Sequence, residues 1–304
     1  MASDVILTLE NVSLSYGDRC IIDSASFGVH AGDKIGILGV NGSGKTTLLR
    51  ILSAVLPPNS GTITPRKNLK IGYLEQDPQF LPHANVLEHV IPEDPRAQKP
   101  DHVYKALLTK LGIETYDKAM QLLSGGQRRK VDIAKVLATE PDLLVMDEPT
   151  NHLDLDTIEW LQDYLATMKT ALIFVTHDRY FLDAVCNRIF EIERARLFFF
   201  EGNYSDYVKG KILRQQDSDR KETRRQAQLD KELAWLARGA RARATKPKNH
   251  VDRVKELLSK SYLIEEQDLD ISFQTDRLGR TILELHKLSK SYDSHPLFED
   301  LDHN

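Results

Sequence analysis

Apolar and polar residues alternate along Val5 to Val12 and again along Cys20 to Phe27, with Gly17-Asp18 between them. That period of two predicts a pair of strands joined by a turn, each with one buried face. Three other stretches do not alternate: Ile35-Gly36-Ile37-Leu38, Leu143-Leu144-Val145-Met146 and Ala171-Leu172-Ile173-Phe174-Val175 are apolar runs of strand length. Such runs suit a sheet covered on both faces, and they predict a parallel α/β core. Helical spacing marks Thr47 to Leu52, then Ile133, Ala134 and Leu137, then Ile158, Leu161 and Leu165. Short strands are expected around Thr62 to Thr64 and Leu69 to Leu74, and mostly helix from Val86 to Leu122. Arg188 to Glu193 and Leu197 to Glu201 read as closing strands, with Gly202-Asn203 ending the domain near residue 207.

From Lys209 the pattern changes to long, charged helix in which Leu229, Leu233 and Leu236 mark one packed face. Gly239 and Thr245-Lys246-Pro247-Lys248-Asn249 interrupt it, and Val251 to Leu258 resume it. The expectation is a helical hairpin within 208–279 whose tip lies near 239–250, carrying Arg238, Arg241, Arg243, Lys246 and Lys248. The end of the chain repeats its beginning. Ile282-Leu283-Glu284-Leu285 and Leu288-Ser289-Lys290-Ser291-Tyr292 align without a gap on Ile6-Leu7-Thr8-Leu9 and Val12-Ser13-Leu14-Ser15-Tyr16. Residues 280–304 are therefore expected to start a second copy of the first domain, and the polypeptide to be a fragment.

Composition narrows the class. The apolar and charged fractions, 41% and 28%, are those of an ordinary globular protein. No apolar stretch approaches the ~20 residues of a membrane-spanning helix, and the first residues do not form a signal-peptide pattern. Two cysteines, Cys20 and Cys186, offer neither a disulfide framework nor metal spacing, which fits a reducing cytoplasm. The formal net charge is −4, but residues 209–260 carry 16 Lys/Arg against 7 Asp/Glu, leaving −13 on the rest. A basic segment on an acidic body points to an anionic partner, most often nucleic acid. A solvated coiled coil that meets protein partners is the alternative for this segment.

The chemistry gathers around Gly39-Val40-Asn41-Gly42-Ser43-Gly44-Lys45-Thr46, set between an apolar strand and a helix. Glycines let consecutive backbone N–H groups turn toward a phosphate, and the helix start adds unpaired donors. Lys45 can reach outer phosphates, and the hydroxyl of Thr46 can sit on Mg²⁺. Asp147-Glu148 ends a buried strand, where α/β sheets place ligands; Asp147 suits Mg²⁺ and Glu148 suits the activation of water. Leu123-Ser124-Gly125-Gly126-Gln127 precedes a helix that Ser124 can cap, with paired glycines that allow close backbone approach.

Together these motifs resemble the ATP-binding-cassette (ABC) ATPases over nearly all of residues 5–205. The resemblance implies a mixed, largely parallel sheet core with an antiparallel β subdomain and a helical subdomain. It also implies Mg²⁺-dependent ATP hydrolysis. Residues 39 and 41–47 (Gly39, Asn41, Gly42, Ser43, Gly44, Lys45, Thr46, Thr47) would hold the phosphates. Tyr16, 23 residues before Gly39, matches the aromatic that stacks on adenine. Gln76 matches the glutamine that senses Mg²⁺ and water, His177 the γ-phosphate histidine, and Asp154 the loop that crosses to a partner domain. In this family two cassettes face each other head to tail. Lys45, Glu148 and His177 would then serve one ATP, and Ser124, Gly125, Gly126 and Gln127 the other. A second ABC domain of the intact protein, or a homodimer of this chain, would complete the sites.

Pro149-Thr150-Asn151-His152-Leu153-Asp154 and Thr176-His177-Asp178-Arg179-Tyr180-Phe181 most resemble the soluble ABC-F class of translation ATPases, and Arg238-Gly239-Ala240-Arg241-Ala242-Arg243 its Uup-like branch. The resemblance implies a ribosomal partner, with the basic linker reaching ribosomal RNA and the peptidyl-site tRNA. Only 46 residues separate Gln76 from Leu123, so the long arm that some members insert there is not expected. An ATPase subunit of a membrane transporter is the alternative, which the catalytic motifs by themselves leave open.

Overall fold

The two apolar runs become β6 (Leu143–Asp147) and β7 (Ala171–Val175), and every residue of both is buried. Successive side chains on a strand point to opposite faces, so the run divides. Leu144, Met146, Leu172 and Phe174 join one apolar cluster; Leu143, Val145, Ile173 and Val175 join another on the opposite face. A sheet can bury consecutive apolar residues only when both faces are covered, and here both are.

The computed structural model describes residues 4–78, 80, 84–92, 94–95, 98–237, 285–292 and 295–303. It separates into two units, Met1–Arg220 and Lys221–Asn304. In the first unit, β6 and β7 lie within a six-stranded sheet ordered β5-β6-β7-β3-β8-β9. Its other members are β3 (Lys34–Gly39), β5 (Ile71–Leu74), β8 (Arg188–Glu193) and β9 (Arg196–Glu201). All neighbours are parallel except β8 and β9. A second sheet of three antiparallel strands has the order β2-β1-β4, from β1 (Val5–Tyr16), β2 (Arg19–His30) and β4 (Ser60–Pro65). The mixed core with its antiparallel sheet is the architecture expected.

Helix α1 (Lys45–Leu52) buries Leu48, Leu49, Ile51 and Leu52 in the cluster shared with the three-stranded sheet. The opposite face is covered by α2 (Val86–Val90), α3 (Asp101–Lys110), α4 (Gly125–Ala138), α5 (Leu155–Thr167) and α6 (Arg179–Val185). Burying one such Leu or Ile side chain contributes roughly 1.5–3 kcal/mol, so α1 is held firmly against the sheet.

Helix α7 (Tyr204–Ala237) covers the stretch expected to be long charged helix, and it begins before Lys209. The first unit runs on to Arg220, beyond the 207 expected from composition. One buried carboxylate on β8 ties the start of α7 to the first unit. Glu191 accepts hydrogen bonds from Tyr207 Oη at 2.8 Å, Lys211 Nζ at 2.6 Å and Arg214 at 3.4 Å. The guanidinium of Arg214 also stacks 3.8 Å over the Phe198 ring. The expected hairpin tip, the return arm Val251–Leu258, and Arg238, Arg241, Arg243, Lys246 and Lys248 lie outside the described residues.

In the second unit, β10 (Leu285–Tyr292) and β11 (His295–His303) form an antiparallel pair. Its register is that of β1 and β2. Leu9↔Phe27, Val12↔Ala25 and Tyr16↔Arg19 recur as Leu285↔His303, Leu288↔Leu301 and Tyr292↔His295. The irregular positions recur too: Asn11 and Ser24 have positive φ in the first pair, Lys287 and Asp300 in the second. The Ser24 N–H donates to Ser13 Oγ at 2.8 Å, and the Asp300 N–H to Ser289 Oγ at 2.9 Å. Strand pairing register is set by local pattern and turn geometry, and the repeated sequence reproduces both.

Candidate functional site

The loop between β3 and α1 owes its shape to a tight contact at its last glycine. A Cβ at Gly44 would stand 2.4 Å from Ile21 Cγ2, and Gly44 has φ +103°. Only glycine fits both the space and the backbone there. No side chain caps α1 at Gly44, so the amides that open the helix face outward toward the cavity. Lys45 folds back over the loop, donating to the carbonyls of Gly39 at 2.9 Å and Val40 at 3.2 Å. Burial pulls the Lys45 ammonium below its ordinary pKa; the nearby Glu148 and Asp147 oppose that shift.

Opposite Lys45 stand the two acidic residues that end β6. Asp147 is held by a side-chain hydrogen bond with Thr46, yet burial still raises its pKa. Glu148 has a positive φ of 48°, an uncommon conformation for a non-glycine residue. Its N–H donates to Val175 O at 2.9 Å, and its Oε1 lies 3.3 Å from His177 Nε2. Burial, then His177 acting in the opposite sense, then repulsion from Asp147, leave the Glu148 carboxyl above its usual range. A raised carboxyl pKa stabilises the fold below the ordinary carboxylate value. That contribution is lost as pH rises through the folded value. Both acids are thus harder to ionise in the folded chain than in the unfolded one, as groups kept for chemistry often are.

Three oxygens at this point are buried without a hydrogen-bond partner among the described residues: Ser43 Oγ, Asp147 Oδ2 and Glu148 Oε2. Orphaned carboxylate oxygens beside a threonine hydroxyl fit a hard divalent cation. No group of three or more His, Cys, Asp or Glu side chains among the described residues would hold one alone. Magnesium ordinarily takes one or two carboxylates and completes its shell with phosphate and water, so Thr46, Asp147 and Gln76 suit it.

A cavity of about 510 Å³ joins these elements. The expected residues Asn41, Gly42, Gly44, Lys45, Thr46, Thr47, Gln76, Asp147, Glu148 and His177 all line it. Tyr16, Gly39 and Ser43 do not. Tyr16 is 55% exposed at the end of β1, while Gly39 and Ser43 shape the loop from behind, close to Ile192. Arg19, Ile21, Asn151 and Val175 also line the cavity and were not expected. Arg19 donates to Gly42 O at 2.9 Å; its basic character beside Gly17-Asp18 was the only signal in the sequence.

Ser124 and the glycine pair stand at the start of α4, outside this cavity. Ser124 and Gln127 form a reciprocal capping box, each side chain 3.2 Å from the other's N–H. A Cβ at Gly126 would stand 2.4 Å from His152 O, so glycine here lets the turn before α5 approach. Asp154 caps α5 and pairs with Lys130 of α4 at 2.5 Å, which holds its carboxyl well below the ordinary range.

A family model described as ABC transporter matches residues 22–151, spanning the loop, Gln76, Ser124–Gln127 and Asp147–Glu148. Residues 22–151 are an ABC-type ATPase domain. A second model, also described as ABC transporter, matches residues 190–273. The domain also has relatives over nearly the whole chain. An uncharacterised ABC transporter ATP-binding protein of Bacillus subtilis, YfmR, is 37% identical over 97% of the chain and 53% of its own length. The energy-dependent translational throttle protein EttA of Mycobacterium tuberculosis is 33% identical over 98% of the chain and 61% of its own length. The chain thus spans between half and two-thirds of these relatives. A bacterial ABC transporter cassette solved as a dimer superposes with a TM-score of 0.57 over 64% of the chain and 98% of the cassette, at 23% identity, which establishes the shared fold. No helix among the described residues is long and apolar enough to cross a membrane.

Proposed function

We propose that the chain binds Mg²⁺ and ATP through a first ABC domain (1–207), and that the intact protein is a nucleotide-gated translation factor of the ABC-F class, in its Uup-like branch. The observation that carries the ATPase reading is the convergence on a single cavity, beside an uncapped helix start, of one cationic group and two acidic groups that each keep one buried oxygen without a partner among the described residues. The amides of residues 42–47 and Lys45 bind the phosphates, with Gly39 and Ser43 shaping the loop. Tyr16 stacks on the base beyond the cavity rim. Thr46, Asp147 and Gln76 would hold Mg²⁺, which would supply positive charge beside the phosphates. Glu148 accepts the proton of the attacking water, and His177 holds both the Glu148 carboxylate and the outer phosphate. Ser124, Gly125, Gly126 and Gln127 close over an ATP held by a facing cassette, with Asp154 crossing to it. The facing cassette is the second domain that starts within 280–304, or a second copy of this chain.

The linker (208–279) is proposed to reach ribosomal RNA and the peptidyl-site tRNA through Arg238, Arg241, Arg243, Lys246 and Lys248. Its basic charge and the relative named a translational throttle support a cytoplasmic action in translation. Co-sedimentation of the intact Glu148→Gln protein with ribosomes tests this reading. Removing a general base lowers hydrolysis by about 10²–10⁴-fold, so the variant should remain on ribosomes when ATP is present and not without it. Sedimentation with membranes instead would favour the transporter-subunit reading, and ribosome binding indifferent to ATP would remove the gate.

A further inference from the structure

Helix α4 carries a buried cation that the chemistry described so far does not use. Arg129 is 5% exposed and does not line the cavity. Its partners are four backbone carbonyls rather than carboxylates. Nη1 donates to Glu75 O at 2.5 Å and Gln76 O at 3.4 Å; Nη2 donates to Asp147 O and, at 2.8 Å, to Glu148 O. These carbonyls follow the ends of β5 and β6, neighbouring strands in the sheet. One planar fork of donors therefore ties together the backbones of Gln76 and Glu148, which is a geometry that lysine cannot reproduce.

Burying a guanidinium costs several kcal/mol unless it is compensated. The charge on Arg129 is opposed by desolvation and supported first by Asp132, then by Asp147 and Glu148. Asp132 is itself buried and accepts from His89 Nε2 at 2.8 Å, fastening α4 to α2. An apolar side chain would fill this core position at lower cost, so the cation is there for what it links. Ser124 caps α4 only about one helical turn before Arg129. A shift of the first turn of α4 is thus delivered directly to the two loops that flank the cavity.

We propose that Arg129 is a positioning residue that couples the two nucleotide sites of the assembled protein: engagement of Ser124–Gln127 by one ATP sets the backbone of Gln76 and Glu148 for the other. This rests on the reading of Gln76 and Glu148 as the water-handling residues and adds the path by which one site reports to its neighbour. Coupling of this kind is a free energy between sites and is measured as cooperativity.

The test is steady-state ATP hydrolysis by the intact protein, with nucleotide affinity from a fluorescent ATP analogue and melting temperature measured in parallel. R129Q is expected to lower kcat about tenfold, leave the dissociation constant within twofold, and bring the Hill coefficient toward one. R129K keeps the charge without the fork and is expected to fall between R129Q and wild type. A merely structural role would lower the melting temperature and weaken affinity and kcat together, without that split. If R129Q does not fold, R129K decides: kcat and Hill coefficient equal to wild type overturn the coupling. A wild-type protein that binds ATP yet does not hydrolyse it would overturn the assignment of Glu148 as well. Normal wild-type turnover with unchanged R129Q would sink the coupling alone.

Discussion

Two helices of the ABC-type domain begin on glycine-bearing turns, and they treat their first amides differently. At α1 the preceding residue is Gly44 in a left-handed conformation, and no side chain caps the helix. At α4 the preceding residue is Ser124, whose hydroxyl and Gln127 partner form a complete capping box. The first start is wedged against Ile21 and opens into a cavity; the second is satisfied by its own side chains outside that cavity. A helix start left bare must be completed by something else, and beside Lys45 that partner is an anion. A self-capped start has its Ser124 and Gln127 amides already paired and serves a ligand brought to it by another surface. The contrast separates a site built within the chain from half of a site that needs a facing cassette.

The largest effect should come from filling the bare start. Gly44→Ala puts a methyl 2.4 Å from Ile21 Cγ2 on a backbone with φ +103°. Calorimetric titration should show ATP affinity falling about 100-fold, near 3 kcal/mol. A smaller effect is expected at the capped start. Ser124→Ala removes one cap, which typically costs about 1 kcal/mol, or a few degrees in melting temperature for a domain of this size. ATP affinity of the dilute chain should stay within twofold of wild type. If Ser124→Ala weakened ATP binding as much as Gly44→Ala, the two starts would serve one site and the distinction would collapse.

Much of this was legible in the sequence because it is local. The strand–loop–helix setting of Lys45 needs only consecutive residues, and the buried faces of β6 and β7 follow from unbroken apolar runs. The terminal repeat was legible down to register, because hairpin pairing is set by the strands and their turn. What escaped was long-range. Arg19 reaches the cavity from the start of β2 and Asn151 from the turn before α5, and only the fold brings them beside Lys45. Nothing in the sequence singles out Arg129, because its partners are backbone carbonyls at the ends of two strands and carry no side-chain signature. The tie between α7 and the first unit runs through Glu191, whose three partners on α7 are invisible without the fold.

Hydrogen–deuterium exchange of the dilute chain, with and without Mg²⁺ and ATP, tests the central claim most directly. Amides of residues 42–47 should become protected on adding nucleotide, while those of residues 124–127 should exchange at their nucleotide-free rate. Exchange at 42–47 that is indifferent to saturating ATP, or equal protection of both helix starts in a monomer, would contradict the account.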